Sequence, residues 1–412
     1  MDAWFANQDG LIYLALALGL FLAWAIGAND LSNSVGAAVG AKVLRIREAV
    51  FVAAVFELAG ALFYGTHVTE TFTRGIVHLD AAMLGPDVVV PGVLAAMLAA
   101  GLWLSYASAR GWPVSATHSI IGALVGFAVT AAGWGAVHPE ELRRIVSSWV
   151  LSPLLGGALA FVLMFSIRIL ILNAADPVRS AHRWTPLYVF LAAFVVCLVT
   201  FYGGMRPLGI QLTREQILLL SVFFGLGMMV MGMLLVRQRD REHIEDAFAP
   251  MTIFTVCSMA FAHGSNDVAN SVGPLALLVD LLRSTALPTE PTGPTLWLYL
   301  LGGLGMVAGL VTFGYRVVNT IGLGITPLSP CRAFSVALAA TATVLLASRS
   351  GLPVSTTHTV VGAVLGVGLA GGKGLIQYSA VKVIVASWLV TLPLTVLLGA
   401  GLFLLFRAWL GV

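Results

Sequence analysis

Polar positions in this chain are spaced far more widely than one helical turn. Apolar segments cover residues 11–40, 49–66, 88–109, 114–133, 146–172, 186–203, 216–236, 250–282, 296–315, 333–348, 352–371 and 383–408. Most of these runs are about 18 residues or longer, enough to cross a bilayer as a helix. The segments on either side of Arg110 and Arg349 come as closely spaced pairs, split by Gly111-Trp112-Pro113 and Gly351-Leu352-Pro353. Gly and Pro are turn signals, so each pair reads equally well as a re-entrant hairpin or as two spans. The pattern predicts an all-α polytopic membrane protein of about ten to twelve membrane segments.

The same landmarks occur twice. Gly27-Ala28-Asn29-Asp30-Leu31-Ser32-Asn33-Ser34-Val35-Gly36 returns as Gly264-Ser265-Asn266-Asp267-Val268-Ala269-Asn270-Ser271-Val272-Gly273, an offset of 237. Pro113-Val114-Ser115-Ala116-Thr117-His118 returns as Pro353-Val354-Ser355-Thr356-Thr357-His358, an offset of 240, and Ser148-Trp149 returns as Ser387-Trp388. Between them, Gly60, Gly65, Val68 and Thr71 align with Gly309, Gly314, Val317 and Thr320, the extra residues falling around Pro288–Pro294. Four matches in one order predict a duplication. The expected units are 1–172 (with a hairpin around 88–133), 173–249 (two connecting spans and a charged loop) and 250–412 (with a hairpin around 333–371).

Charge orients the copies. Lys42, Arg45 and Arg47 follow the first phrase, whereas Arg237-Gln238-Arg239-Asp240-Arg241 precedes the second and Arg179–Arg183 lies two spans earlier. Basic loops face the cytoplasm, so the two phrases are entered from opposite sides and the repeats are inverted, with the N-terminus outside. The N-terminus carries Asp2 and Asp9 and no basic region of the signal-peptide kind, so the first span is expected to stay. The expected location is a prokaryotic inner membrane.

Composition strengthens the membrane reading. Hydrophobic residues make up 59% and charged residues 10% of 412 residues, and mean hydropathy is +0.95, far from the roughly 25% charged content of soluble domains. A net charge of +3 gives no reason to expect a nucleic-acid partner. Cys197, Cys257 and Cys331 are scattered, without metal-ligand spacing.

An Asp placed in hydrocarbon costs about 2.5–3.5 kcal/mol on insertion scales, so two of them point to a site. Residues three and four apart share a helix face, which brings Asn33 to Asn29 and Asp30, and Asn270 to Asn266 and Asp267. Their oxygens suit a hard cation such as Na⁺, or an Asp could accept a proton. The flanking Gly27, Gly36, Gly264 and Gly273 would permit unwinding that frees carbonyl ligands. The plain alternative is hydrogen bonding between helices. In the other phrase, Ser115 and Ser355 are N-caps after a proline break, and two such helix starts could grip an oxyanion from two sides; the alternative is an ordinary cap. Two ionised Asp would repel that anion by about 4 kcal/mol per pair at 4 Å and an effective dielectric of 20, and bound cations would reverse the sign. His118 and His358 are expected to orient their neighbours, with proton relay or direct ligation as alternatives. Glu57 is a lone intramembrane acid.

These motifs resemble those of the inorganic phosphate transporter (PiT) family over nearly the whole chain. The resemblance implies inverted repeats, re-entrant hairpins and secondary transport of phosphate with a cation. By that likeness Asp30, Asn33, Asp267 and Asn270 serve the cation, expected to be Na⁺ with H⁺ as the alternative, alongside Asn29 and Asn266. Ser115, Thr117, Ser355, Thr356 and Thr357 cradle phosphate, with Asp30 and Asp267 contributing, while Glu57, His118 and His358 are accessory. Ala116 departs from the family Thr, and Ala337 stands where many members carry an acid. Relatives also move sulfate. A channel of paired half-helices would use neutral selectivity elements. An enzyme would need more than the doubled Ser–His spacing at 115–118 and 355–358. The expectation is therefore a non-enzymatic symporter with no cofactor, embedded in lipid, a homodimer being one candidate assembly.

Overall fold

The computed structural model describes residues 8–65, 68–69, 84–202, 212–236, 244–284, 295–322, 324–372 and 374–412. The charged stretch at 237–243, the insertion at Pro288–Pro294 and Thr71 lie outside them. All regular structure among these residues is helical: α1 (Gln8–Gly40), α2 (Ile46–Tyr64), α3 (Pro86–Ala109), α4 (Ala116–Ala132), α5 (Pro139–Ile167, prolonged by a π turn to Leu172), α6 (Pro177–Tyr202), α7 (Arg214–Val236), α8 (Ala249–Asp267), α9 (Ala269–Ser284), α10 (Leu296–Phe313), α11 (Tyr315–Gly322), α12 (Pro330–Arg349), α13 (Thr356–Gly371) and α14 (Tyr378–Leu410), with two short 3₁₀ turns. Nine of the helical segments are long and apolar enough to cross a membrane, and the second hairpin arms, α4 and α13, are shorter apolar helices.

Helices outrun the apolar runs because caps and polar turns lie beyond the hydrocarbon-facing residues: α5 begins at Pro139, whereas its apolar run begins near 146. The segment expected at 250–282 is two helices, interrupted at Val268. Pro274 follows within α9, and its missing N–H frees the carbonyl of Asn270, four residues back. The first phrase has Ala37 at that position and stays one continuous helix, α1. Unwinding of both phrases is thus corrected.

The glycines of the phrases serve close approach instead. A Cβ on Gly27 would stand 2.0 Å from the Met306 carbonyl oxygen, and one on Gly264 would stand 2.1 Å from that of Glu57. Likewise a Cβ on Gly309 would meet Trp24 O at 2.0 Å, and one on Gly60 would meet Phe261 O at 2.0 Å. These contacts correspond pairwise under the duplication, so α1 packs on α10 as α8 packs on α2. They also make Met306 the counterpart of Glu57. Ala337 lies in an apolar cluster with Leu31, Val35, Ala49 and Val256.

Both hairpin tips close the same way. Trp112 N donates to Ala107 O at 2.9 Å and Leu352 N to Ala347 O at 3.1 Å, over Gly111 (φ 69°) and Gly351 (φ 66°). This is a glycine C-cap in the left-handed region, followed by a proline that forbids further helix. The Gly-x-Pro signal therefore ends α3 and α12, and the chain turns back as α4 and α13. Each returning arm packs on the long helix of the other half. A Cβ on Gly366 would lie 2.1 Å from Gly157 O of α5, and one on Gly126 would lie 2.1 Å from Val396 O of α14. The first arms are deeply enclosed, with 78% and 83% of their apolar windows buried for α3 and α12. By contrast only 28%, 22% and 22% is buried for α5, α7 and α14, which leaves those helices to face lipid. The result is the all-α polytopic fold of two inverted repeats with re-entrant hairpins that the duplication predicts.

Candidate functional site

The two hairpins meet tip to tip through reciprocal bonds. Thr117 Oγ1 donates to Val354 O at 3.2 Å, and Thr357 Oγ1 donates to Val114 O at 3.1 Å. A residue that touches its counterpart's partner in both directions marks a two-fold relation. Ser115 and Ser355 cap α4 and α13 as their spacing predicts, each Oγ accepting from a His backbone N–H (His118 and His358) at 3.2 Å. The first N–H groups of a helix have no partner within it, so two positive helix ends converge on one buried region. Ser115, Thr117, Ser355, Thr356 and Thr357 are each no more than 2% exposed there.

The Asn-Asp phrases flank this region. Asn33 Nδ2 lies 3.0 Å from Asp30 Oδ1, 2.9 Å from Thr357 Oγ1 and 3.5 Å from Thr356 Oγ1. Thr356 Oγ1 donates to Asp267 Oδ2 at 2.9 Å. The second hairpin is thereby tied to acids from both halves. The matching tie to the first hairpin is missing, because Ala116 has no hydroxyl and Asp30 Oδ2 accepts no hydrogen bond. Asn270 is buried with neither side-chain atom bonded, and Asn33 Oδ1 and Glu57 Oε2 are likewise open. These unpaired oxygens belong to residues whose chemistry suits a hard cation.

Asn29 and Asn266 are placed differently from their expected role at the cation. Asn29 Nδ2 donates to Ser108 Oγ and Trp112 O, both at 3.0 Å, and its Oδ1 accepts from Val114 N at 3.1 Å. Asn266 Nδ2 donates to Val354 O at 3.0 Å and to Asp267 Oδ1 at 2.6 Å, and its Oδ1 accepts from Ser348 Oγ at 3.2 Å. Each Asn clamps the hairpin break of its own half, supplying the backbone partners that a chain interrupted in the membrane must find.

The sequence reading passed over His263. Fully buried, it stands between three acids: Nδ1 is 3.1 Å from Glu57 Oε1, and Nε2 is 2.9 Å from Asp267 Oδ2 and 3.8 Å from Asp30 Oδ2. Asp30, His263 and Asp267 are close enough to share one ion. The signal was present, since His263 lies four residues before Asp267 on one helix face. Glu57 also accepts a hydrogen bond from Ser34 Oγ, which places it against the first phrase. His118 and His358 stand apart from this cluster. Their rings meet edge to face at 4.5 Å and lie against Trp149 and Trp388 respectively, each at 3.7 Å.

A model of the phosphate transporter family matches residues 26–399. The chain belongs to the phosphate transporter family. It is 41% identical over 402 residues to a Pyrococcus abyssi protein described as a candidate phosphate permease, covering 96% of this chain and 98% of that one. It is 38% identical over 414 residues to the chloroplastic inorganic phosphate transporter 2-1 of Arabidopsis thaliana, covering 93% of this chain and 70% of that one. Among solved structures, one described as a sodium-dependent phosphate transporter superposes with a TM-score of 0.90 at 34% identity, covering 97% of this chain and 99% of that one. Family membership and the membrane-spanning fold agree with the resemblance drawn from the two phrases.

Proposed function

We propose that the protein imports inorganic phosphate by symport with Na⁺ through alternating access. The observation that carries this reading is the juxtaposition of two capped helix starts, suited to an oxyanion, with buried acids of which Asp30 Oδ2 and Glu57 Oε2 accept no hydrogen bond. Asp30, Asn33, Asp267 and Asn270 bind Na⁺ in this reading. Ser115, Thr117, Ser355, Thr356 and Thr357 bind phosphate, with Asp30 and Asp267 at the boundary. Glu57 and His263 complete the acidic side. An anion brought beside the carboxylates is repelled by about 4 kcal/mol per pair at 4 Å and an effective dielectric of 20, so cation occupancy precedes tight anion binding. The two effects are reciprocal by linkage, which is the thermodynamic basis of coupling.

The likeness to a sodium-dependent phosphate transporter supports Na⁺ as the coupling ion. Residues 1–172 and 250–412 act as the inverted halves and 173–249 joins them, with the N-terminus outside a prokaryotic inner membrane. The deciding experiment is uptake of radiolabelled phosphate into proteoliposomes under imposed gradients. A Na⁺ gradient should drive accumulation, and excess sulfate should compete weakly. Accumulation driven by a proton gradient alone would transfer the coupling role to H⁺. Asp30→Asn and Asp267→Asn should each abolish Na⁺-driven accumulation, and wild-type uptake in both would overturn the site assignment.

A further inference from the structure

Two tryptophans related by the duplication differ in one bond. Trp388 of α14 donates from Nε1 to the carbonyl of Pro113, at the tip of the first hairpin, at 3.2 Å. Its counterpart Trp149 of α5 should reach the carbonyl of Pro353 at the tip of the second hairpin. Instead the Trp149 Nε1 is buried without a partner, in a residue only 8% exposed. An unbonded indole N–H in a buried setting forfeits a hydrogen bond, so another arrangement in which it is satisfied is within reach.

Open space adjoins the second hairpin tip. A groove of about 470 Å³ runs along the start of α5, lined by Arg144, Ser147, Ser148 and Leu151 and bordered on the second hairpin by Leu352. Arg144 Nη2 bridges its edge to Ser350 O at 3.3 Å. The first hairpin tip is held by its tryptophan's N–H, whereas the second, packed just as closely on its long helix, lacks that one bond.

The indoles are also mechanically connected. Trp149 lies against His118, His118 against His358, and His358 against Trp388, with centroid separations of 3.7, 4.5 and 3.7 Å. His358 Nδ1 further approaches Trp149 O at 3.4 Å. Four rings thus run across the two-fold from one tryptophan to the other. His118 and His358 occupy the first turns of the helices whose starts form the candidate anion site, so displacement of either indole is felt at that site. Close-packed rings have discrete arrangements rather than a continuum, which suits an exchange between two states.

We propose that Trp149 and Trp388 are reciprocal positioning residues: each indole N–H holds the proline carbonyl at the tip of the opposite half's hairpin, and one of the two bonds is closed at a time. The line of contacting rings makes the exchange concerted. This deepens the alternating-access reading and rests on it, because each closed bond fastens one hairpin tip while the other tip is released from its tryptophan.

The test uses the full-length protein in proteoliposomes without phosphate, with single cysteines at Leu352→Cys and at its counterpart Trp112→Cys. Labelling by a membrane-impermeant maleimide is measured from each face, over the parent carrying only the native cysteines. Trp388→Phe keeps the ring and removes the donor; it should raise labelling at position 112 and lower it at 352. Trp149→Phe should do the opposite. A net hydrogen bond corresponds to a population shift of about two- to tenfold. If a Phe variant fails to reach the membrane, benzothienylalanine at the same position removes the N–H from a nearly isosteric ring. Shifts in the same direction, or no shift in either variant, would overturn the proposal while wild-type Na⁺-driven uptake leaves the transport reading intact. Absence of uptake by the wild type would remove that reading without bearing on the labelling pattern.

Discussion

His263→Leu tests the acidic centre most directly. The imidazole lies 3.1 Å from Glu57 and 2.9 Å from Asp267, with Asp30 at 3.8 Å, and all four groups are buried. Leucine fills similar volume but offers no hydrogen to any carboxylate. Removing one partner from a buried ionic contact costs about 3–5 kcal/mol, because the remaining charge is left in a poor medium. Here three acids lose a shared partner, so the upper part of that range is expected when no cation is available. Na⁺ should recover much of the loss, since a bound cation then supplies the missing counter-charge. Binding to the folded state alone adds about 2.7 kcal/mol at a hundredfold excess over Kd. The assay is thermal unfolding of purified protein in nanodiscs, in choline chloride and in sodium chloride at equal ionic strength. The variant should melt well below the wild type in choline, and its midpoint should rise more steeply with Na⁺. Equal midpoints in choline, or the same Na⁺ response in both proteins, would refute the argument.

Other substitutions probe the elements around that centre. Thr356→Val deprives Asp267 Oδ2 of a donor at 2.9 Å and should cost about 1.5–3 kcal/mol in cation-free unfolding experiments. Ala116→Thr restores the hydroxyl that the duplication would set beside Asp30, whose Oδ2 accepts no hydrogen bond; a gain of about 1 kcal/mol is expected in the same experiment. Asn29→Ala removes three bonds to the first hairpin, and hydrogen exchange at the Val114 amide should accelerate more than tenfold. Gly264→Ala pushes a methyl to 2.1 Å from Glu57 O; overpacking of about 1–3 kcal/mol and loss of phosphate uptake should follow. Gly227→Ala meets nothing within 4 Å, and this control should be neutral or more stable by up to about 1 kcal/mol in thermal unfolding.

The duplicated phrases made the hairpins, the caps and the pairing of halves legible, because each depends on local chemistry: Gly-x-Pro stops a helix and Ser starts one. What stayed hidden depends on contacts between distant segments. His263 precedes its phrase by one residue and has no counterpart histidine in the first half, where Ile26 stands at the equivalent position. A search for repeated residues therefore misses it, although its spacing from Asp267 was sufficient. Gly27 and Gly264 suggest local unwinding, since sequence alone does not distinguish a glycine that loosens a helix from one that admits a neighbouring backbone. Asn29 and Asn266 carry the same amides as Asn33 and Asn270, yet the hairpin breaks claim them, and only the folded arrangement shows which amide lies nearest a break.

The departures from perfect duplication have an energetic meaning of their own. A carrier built from two identical inverted copies would have the same free energy facing either side, and its empty form would divide equally between them. This chain pairs Ala116 with Thr356, Glu57 with Met306, Ala37 with Pro274 and Ile26 with His263. Under the alternating access proposed above, such mismatches remove the equality of the two facings, and a bias of about 1.4 kcal/mol changes the ratio tenfold. In that reading, divergence between the halves gives the unloaded protein a preferred side on which to wait.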